Sequence, residues 1–275
     1  MEFLNQLWEA AGAAAWGAVR VSGLRPFLGD REAADALCPN AQTVLIAAFP
    51  YYAGDAPGNL SLYCRGEDYH QVLGRRLGTV CAALEERYPE NHFLPGADNS
   101  PLPELAAAEL AGVGFRGRHG LRIVPPYGSY VFLGTVLTDL ALDLPQNPPS
   151  GACPPHCNAC QTACPTGALG ADRFDPQKCL SALTQEKGEL PLAVQAQIKN
   201  SPTIWGCDLC QRACPWNREA ALSPLPEFRQ NLLPSLTLAE LEEFSNRAFR
   251  RQYADRAFAW RGVGPLRRNL RLWES

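Results

Sequence analysis

Two short cysteine runs in the second half of the chain have the residue types and the spacing that bind iron–sulfur clusters. Eight of the eleven cysteines lie in these runs or between them: Cys153, Cys157, Cys160, Cys164, Cys179, Cys207, Cys210 and Cys214. Each run contains C-x2-C-x3-C-P, the spacing of two-cluster bacterial ferredoxins, in which the cysteine before proline ligates the other cluster. The proline suits the first turn of a helix, because no amide hydrogen is needed there. The spacing predicts two 4Fe-4S clusters.

The crossed fourth ligand divides these cysteines into two sets. The first cysteine group is Cys153, Cys157, Cys160 and Cys214, and the second cysteine group is Cys164, Cys179, Cys207 and Cys210. Two positions depart from the usual pattern, since Cys153 lies one residue further from its neighbour than is common and Cys179 stands alone. A pair of zinc sites would explain the CxxC pairs but not the repeated Cys-Pro endings. His156 is an alternative ligand within the first run, although a solvated loop position is the simpler expectation.

Length and composition exclude several other classes of protein. The 275 residues are 46% apolar and 19% charged, which suits one or two folded domains and not a disordered chain. A net charge of −3 does not fit a globally basic nucleic-acid binder, but it allows a local basic patch. The N-terminus has no basic segment of a secretory signal, and no apolar run is long enough to cross a membrane. We expect a cytoplasmic protein with no membrane partner.

Apolar periodicity predicts the elements that precede the cysteines. Residues 1–20 have helical spacing, and 43–49 form a short buried strand. The segment 68–88 is a strongly amphipathic helix, and 102–111 is an alanine-rich one. The apolar stretch 128–140 fits a strand or a helix.

Changes in composition predict three segments: 1–148, 149–222 and 223–275. A proline- and glycine-rich linker marks the first boundary. In the last segment, 236–249 is predicted to be helical with a capped start at Thr237. The tail is rich in arginine, at Arg247, Arg250, Arg251, Arg256, Arg261, Arg267, Arg268 and Arg271. These side chains either contact phosphates or form the solvated face of a packed helix.

Two classes of protein remain open at this point, an electron carrier and a reductase with its own active site. About 150 residues precede the clusters, which is enough for a separate catalytic domain.

The chain resembles epoxyqueuosine reductases, the cobalamin-dependent enzymes of tRNA queuosine synthesis. The matching blocks occur in the family's order: YCRGEDYHQVLGRRL at 63–77, DNSPLPELAAAELAGVGFRG at 98–117, PYGSYVFLGTVLTDLAL at 126–142, CPTGAL at 164–169, KCLSALTQEKGELP at 178–191, WGCDLCQRACPWN at 205–217 and FRRQYADRAFAWRGVGPLRRNL at 249–270. The resemblance implies an α+β fold. An N-terminal α/β, nitroreductase-like domain would hold cobalamin, followed by a double-cluster ferredoxin-like domain and a short helical basic tail.

The resemblance also implies a mechanism in which electrons pass through the clusters to cobalt. An aspartic acid protonates the epoxide oxygen, and the family's acid falls on Asp98 of DNSP. That role needs a carboxylic acid protonated near neutral pH, which burial beside an apolar macrocycle would provide. The alternative role for Asp98 is a helix N-cap, and Ser100 would serve as that cap if both roles coexist.

Further cofactor contacts are expected at Cys64, Tyr69, His70, Tyr127, Gly128 and Ser129. Each has a structural alternative. The turn at 127–129 is equally well a plain β-turn, His70 a capping or core residue, and Cys64 a buried free thiol.

Three departures from the family pattern bear on the substrate. Arg118, His119 and Gly120 replace the usual Lys-Asn-Thr, and 201–203 reads Ser-Pro-Thr instead of Gly-Asn-Arg. The chain ends at Ser275, where the family's helical repeats begin. We therefore expect an oxidoreductase that converts epoxyqueuosine to queuosine in tRNA or in a free nucleoside. Reduced ferredoxin, flavodoxin or another donor would supply its electrons. The alternatives are a reductase of another small substrate with the same cofactors, or a ferredoxin-like carrier without catalysis.

Overall fold

The computed structural model describes residues 1–28, 38–98, 100–142, 151–170 and 174–275. Its strands are β1 Ala15–Arg20, β2 Thr43–Pro50, β3 Phe93–Gly96, β4 Phe115–Arg116, β5 Arg122–Ile123 and β6 Val131–Thr138. Its helices are α1 Glu2–Ala10, α2 Val21–Leu24, α3 Tyr69–Arg87, α4 Glu104–Leu110, α5 Ala159–Thr162, α6 Leu180–Leu183, α7 Leu192–Lys199, α8 Leu209–Arg212, α9 Leu238–Glu242, α10 Asn246–Gln252 and α11 Val263–Glu274. The predicted boundary at 148/149 lies outside the described residues.

A four-stranded sheet in the order β1-β2-β6-β3 organises the first half, and every pairing in it is antiparallel. Strand β2 is buried along its whole length because both of its faces are covered. Alternate side chains point to opposite faces. Leu45, Ala47 and Phe49 pack with α1 and α3. Val44, Ile46 and Ala48 pack with α2 and α4 on the other side. The result is a three-layer arrangement of helix and sheet.

The prediction of one helix over residues 1–20 is wrong beyond Ala10. Gly12 adopts a φ of +83°, a left-handed conformation that ends helices, and its N–H bonds to the Glu9 carbonyl. The chain then turns into β1, which pairs with β2 in a register that places Val19 opposite Val44. The apolar spacing of 15–20 fits both periods over such a short segment, and the pairing with β2 decides between them.

The other predicted elements of the first half occur close to their predicted bounds. The strand at 43–49 is β2, the amphipathic helix at 68–88 is α3, and the alanine-rich helix is α4. Asp68 caps α3 by accepting the backbone N–H of His70 at 3.1 Å. The ambiguous stretch at 128–140 forms strand β6.

The helix predicted over 236–249 is divided into α9 and α10. Thr237 starts α9 with the predicted capping box, in which its backbone N–H donates to Glu240 at 2.7 Å. Ser245 starts α10 by accepting the N–H of Ala248 at 3.2 Å. Two good caps so close together favour two short helices over one.

The three predicted segments share hydrophobic packing. One core cluster contains Leu60 from the first segment, Trp205 from the second and Leu266 from the third. Within the described parts of the chain, no helix is both long enough and apolar enough to cross a bilayer.

Candidate active site and iron–sulfur sites

The eight cysteines collect around two separate cavities, in the same two sets that their spacing predicts. The first cysteine group lines a small cavity together with Arg118, His119 and Trp216. The second cysteine group lines a larger cavity of about 320 Å³. Each cavity is lined by cysteines from both runs. Cys214 of the second run lies with the first cysteine group, and Cys164 of the first run lies with the second cysteine group.

Short helices and turns place these thiols. Cys160 lies in α5 and Cys210 in α8, so the two runs repeat one local structure. After Cys214, Pro215 begins a turn of 3₁₀ helix over Pro215–Asn217. His156 is exposed in the first loop, as expected for a solvated residue.

The turn between β4 and β5 closes the first cysteine group. The backbone N–H of Arg118 donates to Cys153 Sγ at 3.4 Å, and its Nη1 donates to the Cys157 carbonyl at 2.8 Å. In the described ranges, no three His, Cys, Asp or Glu side chains converge as the ligands of a single metal ion would. A cubane cluster needs its four sulfurs at separate iron corners instead.

Three neighbouring cavities lie between the second cysteine group and Asp98, and we call them together the trough. The 320 Å³ cavity shares Tyr63, Leu121, Val131 and Phe132 with a neighbouring cavity of about 210 Å³. Asp98 and Glu104 line that neighbour and also an outer cavity of about 670 Å³. The inner part of the trough is mainly apolar and aromatic, whereas its outer part carries carboxylates.

Asp98 lies at the centre of a hydrogen-bonded group in the trough. Its Oδ2 accepts from the Tyr69 hydroxyl at 2.6 Å and from His70 Nε2 at 3.3 Å. The other ring nitrogen of His70, Nδ1, lies 2.8 Å from Asp68 Oδ1. Both nitrogens face carboxylates, so the ring is held as a cation. Hydrogen bonds to Asp68, and then to Asp98, raise the pKa of His70 to about 9.

The described residues alone do not bury Asp98 or keep it protonated, so its burial beside a macrocycle stays a prediction. Its side chain is 59% exposed. The hydrogen bond from His70 lowers the pKa of Asp98 against the opposing effect of partial burial. Asp98 is not a helix N-cap either, because α4 begins at Glu104. Ser100 does not cap that helix, since its hydroxyl accepts the N–H of Leu102 at 3.0 Å within the preceding turn.

Glu104 is a site residue that the sequence reasoning missed. Its Oε1 accepts the backbone N–H of Asp98 at 2.9 Å, where Asp98 adopts a left-handed φ of 60°. Burial raises the pKa of Glu104 to about 7. Two neighbouring carboxyls with separated pKa values are a frequent feature of acid–base sites. The available signal was an acidic residue in the first turn of the helix that follows DNSP.

The other predicted cofactor contacts are divided between cavity walls and the core. Tyr69 lines the trough and stacks on Phe132 with ring centroids 4.3 Å apart. Ser129 lines the 320 Å³ cavity. Cys64 is fully buried in a hydrophobic cluster, and its thiol donates to the Ser61 carbonyl at 3.2 Å. The expectation of a cofactor contact at Cys64 is therefore wrong, because its surroundings are those of a core residue.

The turn at 127–129 joins the sheet to the second cysteine run. The backbone N–H of Ser129 donates to Asn217 Oδ1 at 2.7 Å. Gly128 has a φ of +61°, and a Cβ there would lie 2.1 Å from the same oxygen, so only glycine fits. Tyr127 is half-buried, its N–H closes a turn on the Val124 carbonyl, and its side chain lines none of the three cavities of the trough.

Several arginines of the tail are structural. Arg256 donates to the carbonyls of Arg65, Gly66 and Asn231. Arg267 and Arg268 similarly bind carbonyls at the end of α9 and after α6. Arg247, Arg251 and Arg271 remain exposed.

Comparisons with known proteins agree with this arrangement. Residues 153–217 match the family described as "4Fe-4S double cluster binding domain", which defines a two-cluster iron–sulfur protein. Residues 31–98 match the family described as "Epoxyqueuosine reductase QueG, DUF1730". The epoxyqueuosine reductase of Listeria monocytogenes is 37% identical over 84% of this chain and 62% of its own length. That of Synechococcus sp. is 34% identical over 87% of this chain and 76% of its own.

Solved structures extend the similarity. An epoxyqueuosine reductase bound to an epoxyqueuosine-modified tRNA-Tyr stem loop matches with a TM-score of 0.84 and 29% identity, over 99% of this chain and 80% of that one. The Bacillus subtilis enzyme, described with its catalytic aspartate loop swung out of the active site, matches at 0.83 and 29%, over 99% and 81%. This chain belongs to the epoxyqueuosine reductase family. It spans 62–67% of the length of the Listeria monocytogenes, Lactococcus garvieae and Bacillus cereus relatives.

Proposed function

We propose that the chain is an iron–sulfur- and cobalamin-dependent reductase that converts epoxyqueuosine to queuosine in tRNA. The observation that carries the proposal is the trough, which lies between the second cysteine group and Asp98 and Tyr69, with His70 hydrogen-bonded to Asp98. Family membership supports it, and a relative has been solved with an epoxyqueuosine-modified tRNA stem loop. Cytoplasmic tRNA and a reduced ferredoxin, flavodoxin or similar donor are the proposed partners.

The residues present fit the two kinds of cofactor. Each cysteine group offers four thiols around one cavity, which is the ligand set of a 4Fe-4S cluster. The inner trough offers apolar and aromatic walls at Tyr63, Val131 and Phe132, which suit the faces of a corrin. A bound cobalamin would supply reduced cobalt as the source of electrons for the epoxide. We also propose that the sheet and its covering helices, within 1–148, form the nitroreductase-like, cobalamin-holding domain. The segment 149–222 would then be the double-cluster ferredoxin-like domain, and 223–275 the helical basic tail.

The proposed reaction consumes two electrons and two protons, removes the epoxide oxygen as water and leaves a carbon–carbon double bond. The site's own residues supply the first proton, and the second comes from solvent. The charged His70 ring holds a proton against Asp98 Oδ2, and the Tyr69 hydroxyl orients the same oxygen. Asp98 takes this proton and passes it to the departing oxygen, while Glu104 fixes the backbone of Asp98.

The test is an anaerobic preparation that is reconstituted with iron, sulfide and cobalamin, then incubated with epoxyqueuosine-containing tRNA and a chemical reductant. Nucleoside mass spectrometry should show conversion to queuosine. A protein that retains both cofactors but leaves this tRNA unchanged would contradict the proposed substrate and favour another small molecule. A protein that holds iron but no corrin would contradict the reductase and favour an electron carrier.

A further inference from the structure

His119 is a buried histidine with an unused hydrogen-bond donor. It lies in the turn between β4 and β5, and 5% of its surface is exposed. Its Nδ1 accepts the backbone N–H of Leu121 at 3.2 Å, so the ring proton resides on Nε2. Nε2 is buried and has no hydrogen-bond partner among the described residues. A buried N–H without a partner is unfavourable, so this atom indicates a partner that is not a protein atom.

The ring lies where the two cysteine groups meet. His119 lines the cavity of the first cysteine group and also the 320 Å³ cavity of the second. Its neighbour in the chain, Arg118, already donates a backbone N–H to Cys153 Sγ. Ile123 packs with Cys214 of the first group, and both Ile123 and the His119 ring lie against Gly117. These contacts place the imidazole on the side of the first group.

Two further features keep this donor in place. A Cβ on Gly117 would lie 2.6 Å from His119 Cε1, so the glycine provides the room for the ring. Nδ1 accepts a backbone N–H and therefore carries no proton, so the ring is neutral in this arrangement. The ring is therefore a fixed, uncharged N–H donor.

We propose that His119 Nε2–H donates a hydrogen bond to a sulfur of the cluster on the first cysteine group and raises its reduction potential. Such a bond favours the reduced cluster, which carries the more negative charge on its sulfurs. The inference deepens the proposed function and rests on its cluster assignment. His119 is a tuning residue and takes no part in proton transfer to the substrate.

The test is an anaerobic redox titration of the whole reconstituted protein, followed by EPR without tRNA. His119→Phe keeps an aromatic ring and removes the donor. We expect it to shift the reduction equilibrium of the first cluster about tenfold towards the oxidised form, ~59 mV for one electron. His119→Gln restores an N–H near the same position and should recover most of the shift. His156→Asn, at the exposed histidine of the first cysteine run, is the matched control and should leave both potentials unchanged.

Iron content separates this inference from the assignment on which it rests. Full iron with unchanged potentials in His119→Phe, or a shift confined to the second cluster, would overturn the role of His119 and leave the proposed function intact. If His119→Phe does not bind iron, an experiment on the wild-type protein still tests the inference. Pulsed EPR on protein with ¹⁵N-labelled histidine should detect coupling between the reduced first cluster and one histidine nitrogen. No such coupling contradicts the inference.

Discussion

The two cysteine groups share one local motif but have different surroundings. The first group is enclosed by Arg118, Pro154 and Trp216, and the space among its thiols is about 10 Å³. Phe115 and Ile123 pack on Cys214 at its base. The second group faces a cavity of about 320 Å³, and a neighbouring cavity lies between it and Asp98. Residues outside the motif, mainly from β6 and the turn before β5, create this difference.

This difference suggests a division of labour between the clusters. Among the described residues, the thiols of the second group line a cavity of about 320 Å³, whereas the 400 Å³ cavity beside the first group is lined by Pro154, Pro215 and Trp216 but by none of its thiols. We therefore propose that the first cluster acts as a relay. The proposed path of electrons is therefore from the first cluster to the second, and from there into the trough.

Removing one thiol from each group should have the largest effect. Cys164→Ala should lose about half of the bound iron and all turnover, because the cluster beside the trough is gone. Cys160→Ala should lose a similar amount of iron but keep measurable turnover with a chemical reductant that reaches the second cluster. Iron analysis and the tRNA assay check both variants, with Cys38→Ala in the core as the control. Equal turnover in the two variants would remove the proposed division of labour.

Filling the trough should uncouple the clusters from the cofactor. Leu121 lines both inner cavities and is 37% exposed, so Leu121→Trp adds bulk there without disturbing the core. We expect full iron but at least a tenfold weaker retention of cobalamin, measured by absorbance after gel filtration. Leu192→Trp is the control, since Leu192 is 81% exposed on α7. Normal corrin uptake by Leu121→Trp would show that the cofactor binds elsewhere.

Removing the charge of Asp98, at the end of the trough far from the cysteines, should lower turnover without affecting cofactor binding. Asp98→Asn should retain both cofactors and lower turnover by about 10²–10⁴-fold, because the carboxylate that passes the proton is gone. Asp255→Asn is a suitable control, with a side chain 56% exposed against 59% for Asp98. Unimpaired turnover in Asp98→Asn would transfer the proton-donating role to another residue, with His70 and the neighbouring carboxyl of Glu104 as the candidates.

The smallest expected effect concerns Glu104 and pH. In the folded chain the carboxyl of Glu104 keeps its proton up to about pH 7, whereas in the unfolded chain the same carboxyl loses its proton near pH 4.5. This group's contribution to stability therefore falls as pH rises between those values. Glu104→Gln removes that loss, so the Tm difference, variant minus wild type, should grow by about 2–4 °C over this window and then level off. A difference that is independent of pH would mean that Glu104 has an ordinary pKa.

Local patterns were sufficient for some elements and not for others. The cysteine groups follow from spacing, because the crossed ligand is a property of the motif itself. Strand β2 and helix α3 follow from uninterrupted apolar periods. The helix predicted over 15–20 is wrong because the conformation of this segment depends on its pairing with β2. That pairing involves residues more than twenty positions further along the chain, which a local sequence pattern does not include.

The pKa shift of Asp98 and the burial of Cys64 could not be predicted from the sequence. The low pKa of Asp98 depends on His70, 28 residues earlier, and on the left-handed backbone that presents the carboxylate to it. The burial of Cys64 depends on helices that begin after residue 236. Both features arise from tertiary contacts, which residue types and spacing alone do not determine.

The central claim is that the trough brings a cobalamin next to the cluster of the second cysteine group. EPR of the reconstituted protein, with paramagnetic cobalt and a reduced cluster present together, tests it most directly. The account predicts that the cluster signal is broadened by the nearby cobalt, that Cys164→Ala abolishes the broadening, and that Cys160→Ala preserves it. A sharp, unperturbed second-cluster signal in protein that has bound both cofactors would contradict the account.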